Sequence, residues 1–312
     1  MIYYPVMGAL LVILIVLIII IAGISEFFLR FALSTSFDNT KKLDENTGYE
    51  ISDEQRKEEE ESWKFLSLCS DVYIKSKDGL KLHAYLARTD SHKYLITVHG
   101  YKGGATNNGT LYRYMAKEGY NILVLDVRGH GKSEGRWLSM GLWESDDLMR
   151  WIEYINALDK DAEIALHGVS MGAATVMMAS GRNPENVKAI IEDCGYSGTY
   201  EEFACQLKAM FHLPSHPVLD LISLWCRIRL GFFFSSVRPS EEVGKTDIPM
   251  LFIHGDKDAF VPFWMLDACF ERHNGEKEKC ITEGVEHAMS MSKYREEYRK
   301  KSLDFIERHM GR

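Results

Sequence analysis

The chain has 312 residues, 46% of them hydrophobic, and a formal net charge of −8. That length and apolar content suffice for one large domain with a full core, and exclude a chain that is disordered throughout. The acidic balance and the lack of a clustered basic stripe exclude a nucleic-acid binder that tracks phosphates.

The first element is an apolar run. From Val6 to Ile24, "VMGALLVILIVLIIIIAGI", no residue is charged, and about 20 apolar helical residues rising 1.5 Å each are what a bilayer core requires. Tyr3 and Tyr4 before the run, and Phe27 and Phe28 after it, suit the two interfaces. A cleaved signal peptide has a shorter apolar region behind a positive start, whereas the first basic residue here is Arg30. Residues 1–33 are therefore read as an uncleaved single-pass anchor in the cell membrane, with membrane lipid as its partner. Arg30, Lys41 and Lys42 follow the run and no basic residue precedes it, which places the large domain in the cytoplasm by the positive-inside rule. Residues 34–64 are polar and charge-rich, and read as a linker that turns helical near its end. On this division, a chain without residues 1–33 is expected to be a soluble, active domain.

Beyond residue 65 strands and helices alternate. "DVYIKS" and "LKLHAYLAR" flank Lys77-Asp78-Gly79 and predict a hairpin. "KYLITVHG" and "YNILVLDVRG" are apolar nearly throughout, as strands buried on both faces are. Helical "GTLYRYMAKEG" lies between them, and helical "WESDDLMRWIEYINAL" follows. "AEIALHG", "VKAIIEDCG", "IPMLFIHGDKD" and "KEKCITEG" supply four more strands, and the chain ends in an amphipathic helix. This order predicts an α/β fold with a mostly parallel sheet covered on both faces. Residues 196–245 break the alternation with helical, aromatic-rich pieces. An insertion there sits above the C-terminal ends of the strands, where ligands bind in open α/β sheets.

The segment Gly168-Val169-Ser170-Met171-Gly172 lies between the strand "EIALH" and the helix "GAATVMMA". The chain must reverse there within a few residues, which puts Ser170 on a strained, exposed corner, with flanking glycines leaving room for neighbouring backbone. The amide groups at the start of the following helix favour negative charge at the same point. A serine hydroxyl attacks only when a base takes its proton and a third group orients that base. Asp256 and Asp258 both stand just past the strand "MLFIHG". Three histidines follow them. His273 and His309 read as solvated helix-end residues, whereas His287 lies in a loop that can reach the rim carrying Ser170.

With "VHGYKGG", "LDVRGHGKSEG", "HGVSMG", "FIHGDKDAFVP" and "GVEHAMS" in this order, the sequence from about residue 65 to 310 resembles the α/β-hydrolase family. It is most similar to the bacterial membrane-anchored serine hydrolases of the serine-aminopeptidase-like type. The resemblance implies Ser170 as nucleophile, His287 as base and Asp258 as acid, the last preferred over Asp256 because it stands just before the "xxVP" that opens the next helix. It also implies an oxyanion hole made by the backbone N–H groups of Met171 and Tyr101.

Other candidates reduce to structure. "DVRGHGKSEG" lacks the spacing of a phosphate loop and reads as a structural element beside the site. His167 and His254, each before a glycine at a strand end, read as buried and hydrogen-bonded. The six cysteines form no CxxC pair or zinc spacing and read as small hydrophobes. No metal and no cofactor is expected. The function expected is that of a serine hydrolase cleaving a carboxylic ester or thioester of a small acyl substrate. A peptidase or aminopeptidase of the same fold is the alternative, and a catalytically silent membrane scaffold the third.

Overall fold

The structure is a computed structural model that describes residues 3–39, 42 and 52–311. Among the described residues it begins with a long helix, α1 (Tyr3–Leu33), then α2 (Asp53–Leu66) and the strands β1 (Ser70–Lys75), β2 (Lys81–Ala87) and β3 (Lys93–Val98). There follow α3 (Gly109–Lys117), β4 (Asn121–Asp126), α4 (Leu142–Leu158), β5 (Glu163–Val169), α5 (Met171–Ser180) and β6 (Val187–Asp193). Between β6 and β7 (Met250–Gly255) lie only helices, chiefly α6 (Thr199–Phe211), α7 (Val218–Leu230) and the short α8 (Pro239–Glu242). The chain closes with α9 (Trp264–Arg272), β8 (Lys277–Thr282), α10 (Ser290–Lys293) and α11 (Arg295–His309).

The eight strands form one sheet in the order β1-β2-β4-β3-β5-β6-β7-β8. The first hairpin is antiparallel, β2 pairs antiparallel with β4, and every later pair is parallel. β4 and β7 are buried at every position. Helices cover both faces, so those strands have no solvent side to alternate toward. The hairpin turn uses Gly79 at φ +92°, a conformation that a Cβ would strain.

From Met7 to Ile24 nearly every side chain of α1 stands clear of the domain, and this is the one helix among the described residues long and apolar enough to cross a membrane. Its last turns do not behave as a tether. Leu29 and Leu33 are fully buried in the same core as α4 and α5. The Leu138 N–H donates to the Leu33 carbonyl at 2.8 Å, Thr35 N–H to Arg136 O at 3.1 Å, and Ser34 forms a bridge with Trp137. The boundary expected at residue 33 is thus corrected: residues 25–39 belong to the globular domain. The apolar pattern runs past Ile24 because its final part packs against the domain.

Of the segment expected to be a linker, residues 40, 41 and 43–51 lie outside the described residues. Its last part is α2, which starts at a Ser52–Gln55 capping box and buries Leu66. Glu58 of this helix holds Arg113 of α3 and Arg295 of α11.

Candidate active site

The turn from β5 into α5 is as tight as its glycines allow. Ser170 sits at φ 56°, ψ −117°, outside the usual range for a side-chain-bearing residue. A Cβ on Gly168 would fall 2.2 Å from the Gly172 carbonyl oxygen, and one on Gly172 would fall 2.2 Å from Val98 O. Both positions therefore need glycine for the turn to close against itself and against β3. The corner is tied down by the Ser170 N–H donating to Asp193 O at 2.8 Å.

Three residues from distant parts of the chain meet at that corner. His287 Nε2 lies 2.9 Å from Ser170 Oγ, and His287 Nδ1 lies 2.7 Å from Asp258 Oδ2. The other carboxylate oxygen of Asp258 accepts the N–H groups of Phe260 and Val261 at 2.9 and 2.8 Å. Burial alone would raise the Asp258 pKa, but the facing His287 and His254 hold it down to about 2. The imidazole is packed against the Phe260 ring at 4.9 Å. A network of this shape assigns the Nδ1 proton of His287 to the carboxylate side and leaves Nε2 to accept from the serine hydroxyl.

Asp256 takes no part in this contact. Its carboxylate accepts the Gly284 N–H at 2.6 Å, and its own N–H donates to Thr282 O. It shapes the loop that carries His287.

On the far side of Ser170, a Cβ on Gly100 would lie 3.3 Å from Ser170 Cβ, so the loop after β3 runs directly past the serine. Tyr101 belongs to that loop and lines a cavity together with Ser170, and Met171 is the first residue of α5. His99 braces the loop from beneath: its Nδ1–H donates to Gly100 O at 2.9 Å and its Nε2 accepts the Val127 N–H at 3.2 Å. Burial pushes its pKa down to about 3, which keeps it neutral. The Tyr101 hydroxyl donates to Phe31 O at 3.3 Å and accepts from Asn39 Nδ2 at 3.1 Å, while Lys102 Nζ donates to Asn39 Oδ1 at 2.6 Å and to Phe37 O. The segment just after α1 thereby holds the loop in place.

An apolar cavity opens on the same side and is partly open to solvent. Ser170 and Tyr101 stand at its end, and its walls include Phe203, Phe211 and Ile222 from α6 and α7, with Phe28 and Phe31 from α1. Opposite it, Ser170 and His287 border a wider polar groove.

Other sequence readings resolve as follows. His167 is buried between Thr97 Oγ1 at 3.1 Å and Tyr298 OH at 2.8 Å. His254 is buried as expected, but its Nε2 also lies 3.3 Å from Asp258 Oδ2, a contact the sequence reading missed. The loop 126–135 is held by Asp126 accepting the Lys132 N–H and by Arg128 gripping Asp147 through two nitrogens. His273 corrects its expectation: it is 1% exposed, with Nδ1 bonded to Val243 O. It follows α9 directly, and that end packs under the sheet edge. His309 is half-buried near Glu276 and is no free surface residue either. Cys194, read from the sequence with the other cysteines as a small hydrophobe, has its Sγ within 4.8 Å of the facing atoms of Asp258 and His287. Burial raises its thiol pKa, so it stays protonated and inert.

The family model for serine aminopeptidase, S33, matches residues 89–210. The uncharacterized protein YqkD of Bacillus subtilis is 32% identical over 237 residues, covering 75% of this chain and 78% of its own. The chain belongs to the α/β-hydrolase family. Among solved structures, this hydrolase is similar to the Pyrococcus furiosus esterase Pf2001, with a TM-score of 0.67 at 24% identity over 80% of this chain and 94% of that one. It is also similar to the Pyrococcus horikoshii acylaminoacyl peptidase, with a TM-score of 0.61 at 20% identity over 78% and 41%. Both likenesses show the fold they share with this chain.

At the exit of β6, Glu192 is fully buried, with one oxygen accepting the Gly195 N–H at 3.0 Å. Burial raises its pKa from 4.5 to about 8. The folded state thus keeps its proton while the unfolded state ionises. This group's contribution is fully present below about pH 4.5 and is lost as pH rises through about 8. Glu192→Gln should therefore gain stability over the wild type by several degrees of melting temperature between pH 5 and pH 8. A difference that stays constant with pH would count against a neutral Glu192.

Proposed function

We propose that this hydrolase is a membrane-anchored serine esterase acting on a carboxylic ester or thioester through an acyl-enzyme. The observation that carries the reading is the chain of contacts Ser170–His287–Asp258, with Ser170 also lining an apolar cavity. Ser170 Oγ attacks the carbonyl carbon as His287 Nε2 takes its proton, and Asp258 stabilises the imidazolium. The backbone N–H groups of Met171 and Tyr101 receive the oxyanion. The C–O or C–S bond breaks as His287 returns the proton to the leaving group. Water, deprotonated by His287, then releases the acid and frees Ser170. The exposed run from Met7 to Ile24 anchors the chain, and Arg30 with the lysines after it favours a cytoplasmic catalytic domain. Labelling by a fluorophosphonate probe, together with turnover of acyl esters of graded length, tests the proposal. Each buried CH₂ contributes about 0.8 kcal/mol, so kcat/KM should rise several-fold per two-carbon step until the cavity is full. A flat profile from acetyl to octanoyl esters would reject the acyl cavity.

One buried carboxyl separates the esterase reading from the peptidase reading. Glu202 lines the cavity, is 2% exposed, and has one carboxylate oxygen without a hydrogen-bond partner among the described residues. The other oxygen accepts from Gln206 Nε2 at 2.9 Å. Burial raises the Glu202 pKa to about 8, so at neutral pH the wall it forms is uncharged, which suits an acyl chain. A substrate ammonium would have to ionise it. Glu202→Gln is expected to change ester kcat/KM by less than about threefold. A loss of tenfold or more in aminopeptidase turnover by the same variant would instead establish an amine-binding carboxylate.

A further inference from the structure

The cavity beside Ser170 is not built by the sheet and the helices of residues 196–245 alone. Phe28, Phe31 and Ala32 of α1 form one of its walls. Phe28 and Phe31 meet Phe211 of α6 edge-on at 5.0 and 5.3 Å, which closes the seam between the helix and the cap. One turn upstream, Glu26 accepts from Trp225 Nε1 at 2.8 Å and pairs with Arg229 at 3.2 Å, clamping α7 to α1. Directly beyond that clamp the helix becomes the bare apolar run.

The outer face of α7 carries a second, independent feature. Leu221, Leu224 and Ile228 recur at helical spacing and stand 37, 49 and 65% exposed, with Phe233 at 39% just after the helix. Leu224 and Ile228 of this stripe stand about 100° around the helix from Trp225 and Arg229, which touch Glu26 of α1. Arg227 and Arg229 in the last turn supply the basic edge of an interfacial helix. The polar groove on the other side of Ser170 includes Lys102, Asn107, Lys257 and Lys293.

We propose that the substrate is a bilayer-resident, single-chain ester of a long-chain fatty acid with a polar alcohol. Its acyl chain passes from the membrane along α1 into the cavity, while α7 rests on the bilayer surface. This rests on the esterase reading above. The acyl–oxygen bond breaks, the alcohol leaves into the polar groove with the proton from His287, and water releases the fatty acid from Ser170. The N-terminal helix is a specificity element, and Ala32 and Phe28 set the width of the passage.

The test uses the full chain reconstituted in dialkyl-ether phosphatidylcholine vesicles, which contain no carboxylic ester of their own. Turnover of 1-palmitoylglycerol carried in the vesicles is compared with that of p-nitrophenyl acetate in solution. Ala32→Phe and Phe28→Trp should each lower the palmitoyl-to-acetyl ratio of kcat/KM by tenfold or more. Leu224→Gln combined with Ile228→Gln, on exposed positions that the core does not need, should lower palmitoyl turnover in vesicles at least fivefold relative to the same substrate in detergent micelles. Unchanged ratios in the α1 variants would reduce the helix to a tether, and an unchanged vesicle-to-micelle ratio would overturn the bilayer contact of α7. A wild-type chain that neither labels with fluorophosphonate nor cleaves either ester would instead sink the esterase reading itself.

Discussion

Ser170→Ala should lower kcat/KM for any ester substrate by about 10⁴-fold or more, and His287→Ala should do the same. The two side chains act as one unit through their 2.9 Å contact, so the double variant should be little worse than either single one. Asp258→Asn tests the orienting role separately. The carboxylate now accepts from His287 Nδ1 at 2.7 Å. An amide there can donate instead, which would move the imidazole proton to Nε2 and leave nothing to take the serine proton. A loss on the order of 10³ to 10⁴-fold is expected from the wrong tautomer. Asp256→Asn keeps an acceptor for the Gly284 N–H and should cost less than about threefold. A severe Asp256 variant beside a mild Asp258 variant would mean that the acid has been assigned to the wrong residue.

Removal of residues 1–39 should leave no folded, probe-reactive protein, whereas removal of residues 1–24 should yield a soluble domain that still labels. The difference lies in fifteen residues. Leu29 and Leu33 are fully buried, and losing a large apolar side chain from a packed core costs about 2–5 kcal/mol each. Folded domains are stable by only about 5–15 kcal/mol. The same deletion removes Phe31 O, Phe37 O and Asn39, which hold Tyr101 and Lys102 beside the serine. Soluble yield, thermal melting and fluorophosphonate labelling of the two truncated chains would separate these contributions. A folded, labelled chain beginning at residue 40 would show that α1 only leans on the domain. The expectation from sequence, that deletion up to residue 33 is harmless, did not include the burial of Leu29 and Leu33, because an apolar pattern is identical whether it faces lipid or a protein core.

The alternation of strands and helices, the sharp corner at Ser170 and the segments that carry Asp258 and His287 were legible in the sequence. Each is written locally: β-branched runs mark buried strands, Gly168 and Gly172 mark a backbone that must pass within van der Waals distance of itself, and the loops at the ends of β7 and β8 carry an aspartate and a histidine with few competitors. Contacts between distant segments left no such mark. The burial of His273, the approach of His254 to Asp258, and the neutral Glu202 in an apolar wall all depend on which surfaces pack together, and a single residue type does not encode its neighbour. The largest case is α1. Its composition by itself determined a helix able to cross a bilayer, since nothing between Val6 and Ile24 needs water. Only the tertiary structure decided that its last turns leave that role, bury Leu29 and Leu33 in the domain, and set Phe28 and Phe31 against the cavity beside Ser170. Hydrophobic burial is non-directional, and the partner that removes the surface from water is chosen by the folded chain.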